Sequence, residues 1–168
     1  MEKGTVYFFT GLAGAGKTTI GKLFYEHLQS TGKPVRLFDG DTQRDTSGFR
    51  DYTYEGRLKG AWGLFAQCNE LAEQGTNVVV CSISMYHAIQ NWNRDNIENY
   101  REIYVKASME TLYKRDQKKL YSSGTRNVVG VDIPAEFPER PDVVVENDGQ
   151  RTPEEIVADL EKRLGLCS

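Results

Sequence analysis

Residues 11–18 run Gly11-Leu12-Ala13-Gly14-Ala15-Gly16-Lys17-Thr18, the pattern G-x-x-x-x-G-K-[ST]. Residues of these types at this spacing bind phosphate. Glycines let the backbone curl until consecutive N–H groups converge on one anion. A helix starting at the lysine would add its N-terminal dipole to the same anion. Lys17 is placed to reach the β- and γ-phosphates of a nucleotide, and the Thr18 hydroxyl to ligate Mg²⁺. A second group is Asp39-Gly40-Asp41, with Arg44 following three residues later. Two carboxylates at the end of a strand lie where an open α/β sheet places its ligands. A guanidinium beside them can grip an anionic group through forked hydrogen bonds.

Such a loop works only between a strand and a helix. Val6-Tyr7-Phe8-Phe9 reads as a buried strand, and Ile20, Leu23, Phe24 and Leu28 recur at helical spacing after the loop. That helix should stop near Ser30-Thr31-Gly32, with Pro34 just beyond. Val35–Phe38 predicts the second strand, and Asn77–Ile83 a third, apolar enough to be covered on both faces. Between them, 42–53 reads as a loop. Leu58, Ala61, Trp62, Phe65, Cys68, Leu71 and Ala72 then share one face of a long helix ending at Gly75. A helix over Ala88–Asn96, a strand over Glu102–Val105 and a Ser108-capped helix through Leu112 and Arg115 follow. Val143–Val145 is the fifth strand, and Thr152-Pro153-Glu154-Glu155 opens the last helix with a capping box. Strands alternating with helices predict an α/β fold: one domain over 1–168, with a mainly parallel five-stranded sheet, helices on both faces and a lid loop over about 120–141.

The chain has 168 residues, a formal charge of -3 and no long basic run, which weighs against nucleic-acid binding. No apolar stretch approaches the roughly 20 residues of a membrane span. Met1-Glu2-Lys3-Gly4 leads straight into a strand and reads as no signal peptide. Cys68, Cys81 and Cys167 have no metal-ligand spacing. They read as two core thiols and one tail thiol, which fits a reducing cytoplasm. His87 lacks an acidic neighbour in sequence that would orient it as a base, and His27 lies beside the apolar face of its helix. Both read as hydrogen-bonded or surface histidines.

Phe9-Thr10-Gly11 through Thr18-Thr19, Asp39-Gly40-Asp41-Thr42-Gln43-Arg44, Ile83-Ser84-Met85, Arg115-Asp116-Gln117-Lys118-Lys119-Leu120-Tyr121 and Val129-Gly130-Val131-Asp132-Ile133-Pro134 together resemble the adenylylsulfate (APS) kinase family over nearly the whole chain. The resemblance implies transfer of the γ-phosphate of ATP to the 3′-hydroxyl of adenylylsulfate. It assigns Gly11, Gly14, Ala15, Gly16, Lys17, Thr18, Thr19 and Arg115 to ATP, and Thr18 and Asp39 to Mg²⁺. Asp39 and Asp41 match the carboxylates serving the metal and the acceptor hydroxyl. Arg44, Phe49, Arg57, Ile83, Ser84, Lys118 and Val128 fall at acceptor positions. Ser84 matches a serine described in some members as a phosphorylated intermediate, but no base is evident beside it, so direct transfer is the expectation. The family often forms homodimers.

The departures from the family pattern gather on the acceptor side. Gly56 stands where an acidic partner of the arginine is usual, Val128 where an aromatic wall is usual, and Met85 where a proline is usual. Tyr52 and Tyr54 lie in an apparent insertion. This pattern also resembles the cytidine diphosphoramidate kinases of surface-polysaccharide gene sets, which use a different activated nucleotide. The expectation places adenylylsulfate first and a cytidine diphosphoramidate acceptor second. A GTPase or ATPase switch is the rival class, and the N-K-x-D guanine motif is missing from the chain.

Overall fold

Val6–Thr10 (β1) is buried at every position, as a strand with helices on both sides must be. The computed structural model describes residues 2–39, 54–115 and 135–166. In it β1 is the centre of a five-stranded sheet of order β2-β3-β1-β4-β5. The flanking strands are β2 (Val35–Asp39), β3 (Asn77–Cys81), β4 (Tyr100–Lys106) and β5 (Val143–Glu146). Every pairing is parallel, so all five strands bring their carboxyl ends to one edge. The helices are α1 (Lys17–Ser30), α2 (Tyr54–Glu73), α3 (His87–Asn96), α4 (Met109–Arg115) and α5 (Pro153–Arg163).

Strand alternation divides the core. Tyr7, Phe9, Val79, Cys81, Ile103 and Val105 face α1 and α5, where Ile20, Phe24, Ile156 and Leu160 meet them. Val6, Phe8, Val78 and Val80 face α2 and α3, against Ala61, Phe65, Cys68 and Ile89. Phe24 packs edge-on to Tyr7 at 4.9 Å between ring centroids, and Phe65 to Phe8 at 4.7 Å. Each fully buried phenylalanine contributes about 1.5–3 kcal/mol relative to exposure. Trp62 stands edge-on to Trp92 at 5.6 Å and locks α2 to α3, the packing role expected of it.

The helix ends follow local rules. Gly32 (φ 82°) ends α1 and Gly75 (φ 93°) follows α2, both in the left-handed region that glycine enters without penalty. The Thr152 hydroxyl accepts from the Glu155 N–H at 3.2 Å and caps α5. Two strand ends, the start of β4 and the end of β3, differ from expectation by two residues. β4 begins at Tyr100 because Tyr100 and Glu102 bury on the α3 side while Arg101 turns out. β3 stops at Cys81 because the chain then turns, with the Thr10 hydroxyl holding the Ile83 carbonyl at 2.5 Å.

Cys68 and Cys81 are free and buried. Burial pushes both thiols up to about 12, so they are inert core groups. Cys167 lies outside the described residues. His27 is hydrogen-bonded through Nδ1 to the Glu161 carboxylate at 2.6 Å across α1 and α5. Among the described residues no helix is long and apolar enough to cross a membrane.

Candidate active site

The glycine loop leaves β1 at the carboxyl edge and runs into α1. Gly14 (φ 84°) and Gly16 (φ 102°) take left-handed conformations that side-chain-bearing residues rarely adopt. A Cβ at Gly11 would run into the Val105 carbonyl of β4, and one at Gly16 into the Asn147 carboxamide. Gly16 caps α1 with no side-chain acceptor, and no acidic residue stands in the first turn. The first N–H groups of the helix are thus left for an external anion.

The carbonyls of the loop are held from outside. Arg115, at the end of α4, donates to the carbonyls of Gly14 (3.2 Å), Ala15 (3.5 Å) and Asn147 (2.8 Å). The Asn147 side chain donates to the Ala15 carbonyl at 2.9 Å, and its own N–H to the Lys106 carbonyl at 2.7 Å. With its carbonyls engaged on one side, the loop presents its N–H groups on the other. Arg115, expected at the ATP site, therefore braces the phosphate loop. Asn147 is not among the expected residues, and its only sequence signal is a polar residue directly after the last strand.

Lys17 donates from Nζ to the Leu12 carbonyl at 3.0 Å, which lays the ammonium over the loop. The Thr18 hydroxyl donates to the Asp39 carboxylate at 3.2 Å. This contact joins the first turn of α1 to the end of β2 and brings together the two residues expected to hold a metal. No group of three His, Cys, Asp or Glu side chains able to cage a metal occurs among the described residues. An alcohol and a carboxylate completed by substrate phosphates suit Mg²⁺, which rarely takes an all-protein cage.

Beyond β3 the chain makes a tight polar turn. Ser84 has φ 34°, an uncommon conformation for a residue with a side chain. It is buried, and its hydroxyl pairs with that of Ser82 at 2.7 Å. Ile83 points its carbonyl at Thr10. Arg57 is half-buried near the start of α2, next to buried Gly56. The far end of α2 is tied to the amino edge of the sheet by the Gly4 N–H on the Ala72 carbonyl at 2.8 Å. Twenty helical residues span about 30 Å, which carries Arg57 toward the carboxyl edge. Thr19 is in the first turn of α1. Asp41, Arg44, Phe49, Lys118 and Val128 lie outside the described residues, as does the expected loop over 42–53.

His87 is a hydrogen-bonded histidine at the surface, as expected. Its acidic neighbours are remote in sequence: Nδ1 lies 3.4 Å from Glu139 and 3.8 Å from Glu136, while Nε2 meets the Phe137 carbonyl at 2.9 Å. The stretch expected as a lid is therefore fastened at its C-terminal part, 135–141, to the start of α3. Beside the last turn of α3, Glu102 of β4 is buried and accepts from the Tyr100 hydroxyl at 2.6 Å, with Arg94 of α3 at 3.7 Å. Burial raises its carboxyl, opposed by Tyr100 and Arg94. It lines a cavity of about 220 Å³ with Gln90, Arg94 and Arg140. None of the phosphate-binding residues lines that cavity.

A parallel sheet, a braced glycine loop at its carboxyl edge and a Lys-Thr pair opening the next helix define a P-loop nucleotide-binding protein. The adenylylsulphate kinase family model matches residues 3–146, and the chain belongs to that family. It is 40% identical over 165 residues to the cytidine diphosphoramidate kinase of Campylobacter jejuni, covering 96% of each chain. It is 36% identical over 157 residues to a probable adenylyl-sulfate kinase of Aeropyrum pernix, covering 88% of this chain and 86% of that one. The fold superposes on the Mycobacterium tuberculosis APS kinase solved with AMPPNP and APS, with a TM-score of 0.87 at 23% identity, covering 98% of this chain and 99% of that one. At that identity the likeness is one of fold.

Proposed function

We propose that this kinase transfers the γ-phosphate of ATP to the 3′-hydroxyl of an activated cytidine nucleotide, cytidine diphosphoramidate. The observation that carries the reading is the 40% identity to the Campylobacter jejuni enzyme across 96% of both chains. The departures at Gly56, Met85 and Val128, all at acceptor positions, support it. Adenylylsulfate is the second reading, favoured by the family model and by the Aeropyrum pernix relative. The C. jejuni likeness reverses the order in which the sequence alone ranked the two.

The chemistry divides between the two halves of the site. The phosphate-loop N–H groups and Lys17 bind the phosphates of ATP and neutralise charge as the β–γ bridge breaks. Thr18 and Asp39 are the residues that would hold Mg²⁺, which when bound adds further charge neutralisation on those phosphates. Asp41 orients the acceptor hydroxyl and takes its proton as the new oxygen–phosphorus bond forms, and ADP carries away the electron pair of the broken bond. Arg44 and Arg57 grip the anionic part of the acceptor, Phe49 stacks on its base, and Lys118 and Val128 complete its surroundings. The Ser84 hydroxyl, buried against Ser82, serves the shape of the acceptor side, and transfer is direct. The two buried thiols fit a reducing cytoplasm.

The test is kcat/KM for cytidine diphosphoramidate against adenylylsulfate with ATP and Mg²⁺. An aromatic wall is worth about 1–3 kcal/mol to a stacked base. With Val128 in place of that wall the larger purine of adenylylsulfate gives up more stacking than a pyrimidine does, so the cytidine acceptor should be preferred by up to about a hundredfold. An equal preference for adenylylsulfate would overturn the acceptor and leave the kinase standing.

A further inference from the structure

The turn after β3 and the start of α3 are held by one residue that no motif contains. α3 begins at His87 without a side-chain cap from its own N-cap residue, Tyr86. The missing acceptor comes from Glu136, whose Oε1 receives the His87 N–H at 3.3 Å. The backbone of Glu136 continues the attachment on both sides. Its N–H donates to the Met85 carbonyl at 3.1 Å, and its carbonyl accepts from the Gln90 side chain at 2.9 Å. Gln90 is itself buried, and the His87 ring meets the next carbonyl along, that of Phe137. Side chain, N–H and carbonyl of one glutamate thus fix three points in α3 and its approach.

Those points control Ser84. The Tyr86 N–H bonds back to the Ser84 carbonyl at 3.0 Å, across the left-handed turn at φ 34°. A residue held in that region persists only when its surroundings over-determine it. On one side, Ser84 is held by the Ser82 hydroxyl and by Thr10 on the Ile83 carbonyl. On the other, the hold runs through Met85 and His87 to Glu136. The ordinary alternative is a helix cap that contributes to stability alone.

We propose that Glu136 is a positioning residue for the acceptor half of the site, acting through the turn formed by Ile83, Ser84 and Met85. The inference rests on the reading of that turn as the acceptor side. Glu136 touches neither ATP nor the reacting atoms. Without its carboxylate the turn shifts, and the acceptor hydroxyl loses its alignment with the γ-phosphate. Misplacement by about 1 Å is enough to cost on the order of a hundredfold in rate.

The test compares Glu136→Ala and Glu136→Gln in the full chain, using whichever nucleotide the wild type phosphorylates. Glu136→Ala should lower kcat/KM for the acceptor about tenfold to a hundredfold while KM for ATP stays within about twofold. Glu136→Gln keeps an oxygen for the His87 N–H and should restore most of the loss. Amide hydrogen exchange should quicken at Tyr86, His87 and Gln90 in Glu136→Ala and stay unchanged at Ile20, behind the phosphate loop. An unchanged acceptor kcat/KM, or a loss matched by a rise in KM for ATP with a lowered Tm, would overturn the proposal. Should the wild type phosphorylate neither nucleotide, the acceptor reading fails on its own. The exchange then decides the link, and unchanged protection at His87 refutes it.

Discussion

Replacing Lys17 with alanine is expected to lower kcat by about two to three orders of magnitude while the protein stays folded. Each charged or polar group aimed at a transferring phosphate is worth about 3–4 kcal/mol in a site that excludes water. Lys17 stands at the first position of α1, where its ammonium already lies over the loop that receives the phosphates. Its hydrogen bond to the Leu12 carbonyl, at 3.0 Å, is worth about 0.5–1.5 kcal/mol. That is small against the roughly 5–15 kcal/mol of a typical domain. Melting and turnover measured on one preparation check both halves, and near-wild-type turnover in a folded variant contradicts the donor site.

The second large effect is expected at Asp41. Asp41→Asn keeps the shape of the side chain and removes its capacity to accept a proton, so kcat should fall about a hundredfold or more with ATP binding little changed. Asp39 supplies the contrast. It holds the Thr18 hydroxyl at 3.2 Å, so Asp39→Asn should act mainly on Mg²⁺-dependent ATP binding. Titrating ATP and Mg²⁺ against both variants separates the roles. If Asp41→Asn loses ATP affinity and keeps kcat, Asp41 belongs to the metal side and the base lies elsewhere.

What the sequence made legible was local. The glycine loop announces itself because its function demands left-handed backbone at Gly14 and Gly16 and a lysine directly after them. The ends of α1 and α2 at Gly32 and Gly75, and the Thr152 cap, are written in one or two residues each. The parallel sheet followed from strands apolar throughout, as in Val78–Cys81. What stayed hidden depends on residues far apart in the chain. Glu136 caps a helix that begins 49 residues before it, and the Asn147 side chain reaches back 132 residues to Ala15. Nothing in the spacing near His87 foretells Glu136 and Glu139 beside its ring. Glu102 opens the strand read from the sequence over Glu102–Val105, and nothing there marks its carboxylate for burial. It is buried because Tyr100 and Arg94 satisfy its carboxylate inside.

The most direct measurement is a transfer assay with ATP labelled in the γ-phosphate, Mg²⁺ and cytidine diphosphoramidate, followed by digestion of the product with a 3′-nucleotidase. The account predicts that the label enters the nucleotide, is released by that digestion, and never accumulates on protein. Label appearing only as free phosphate would contradict the kinase reading. Label held on Ser84 before reaching the nucleotide would contradict direct transfer.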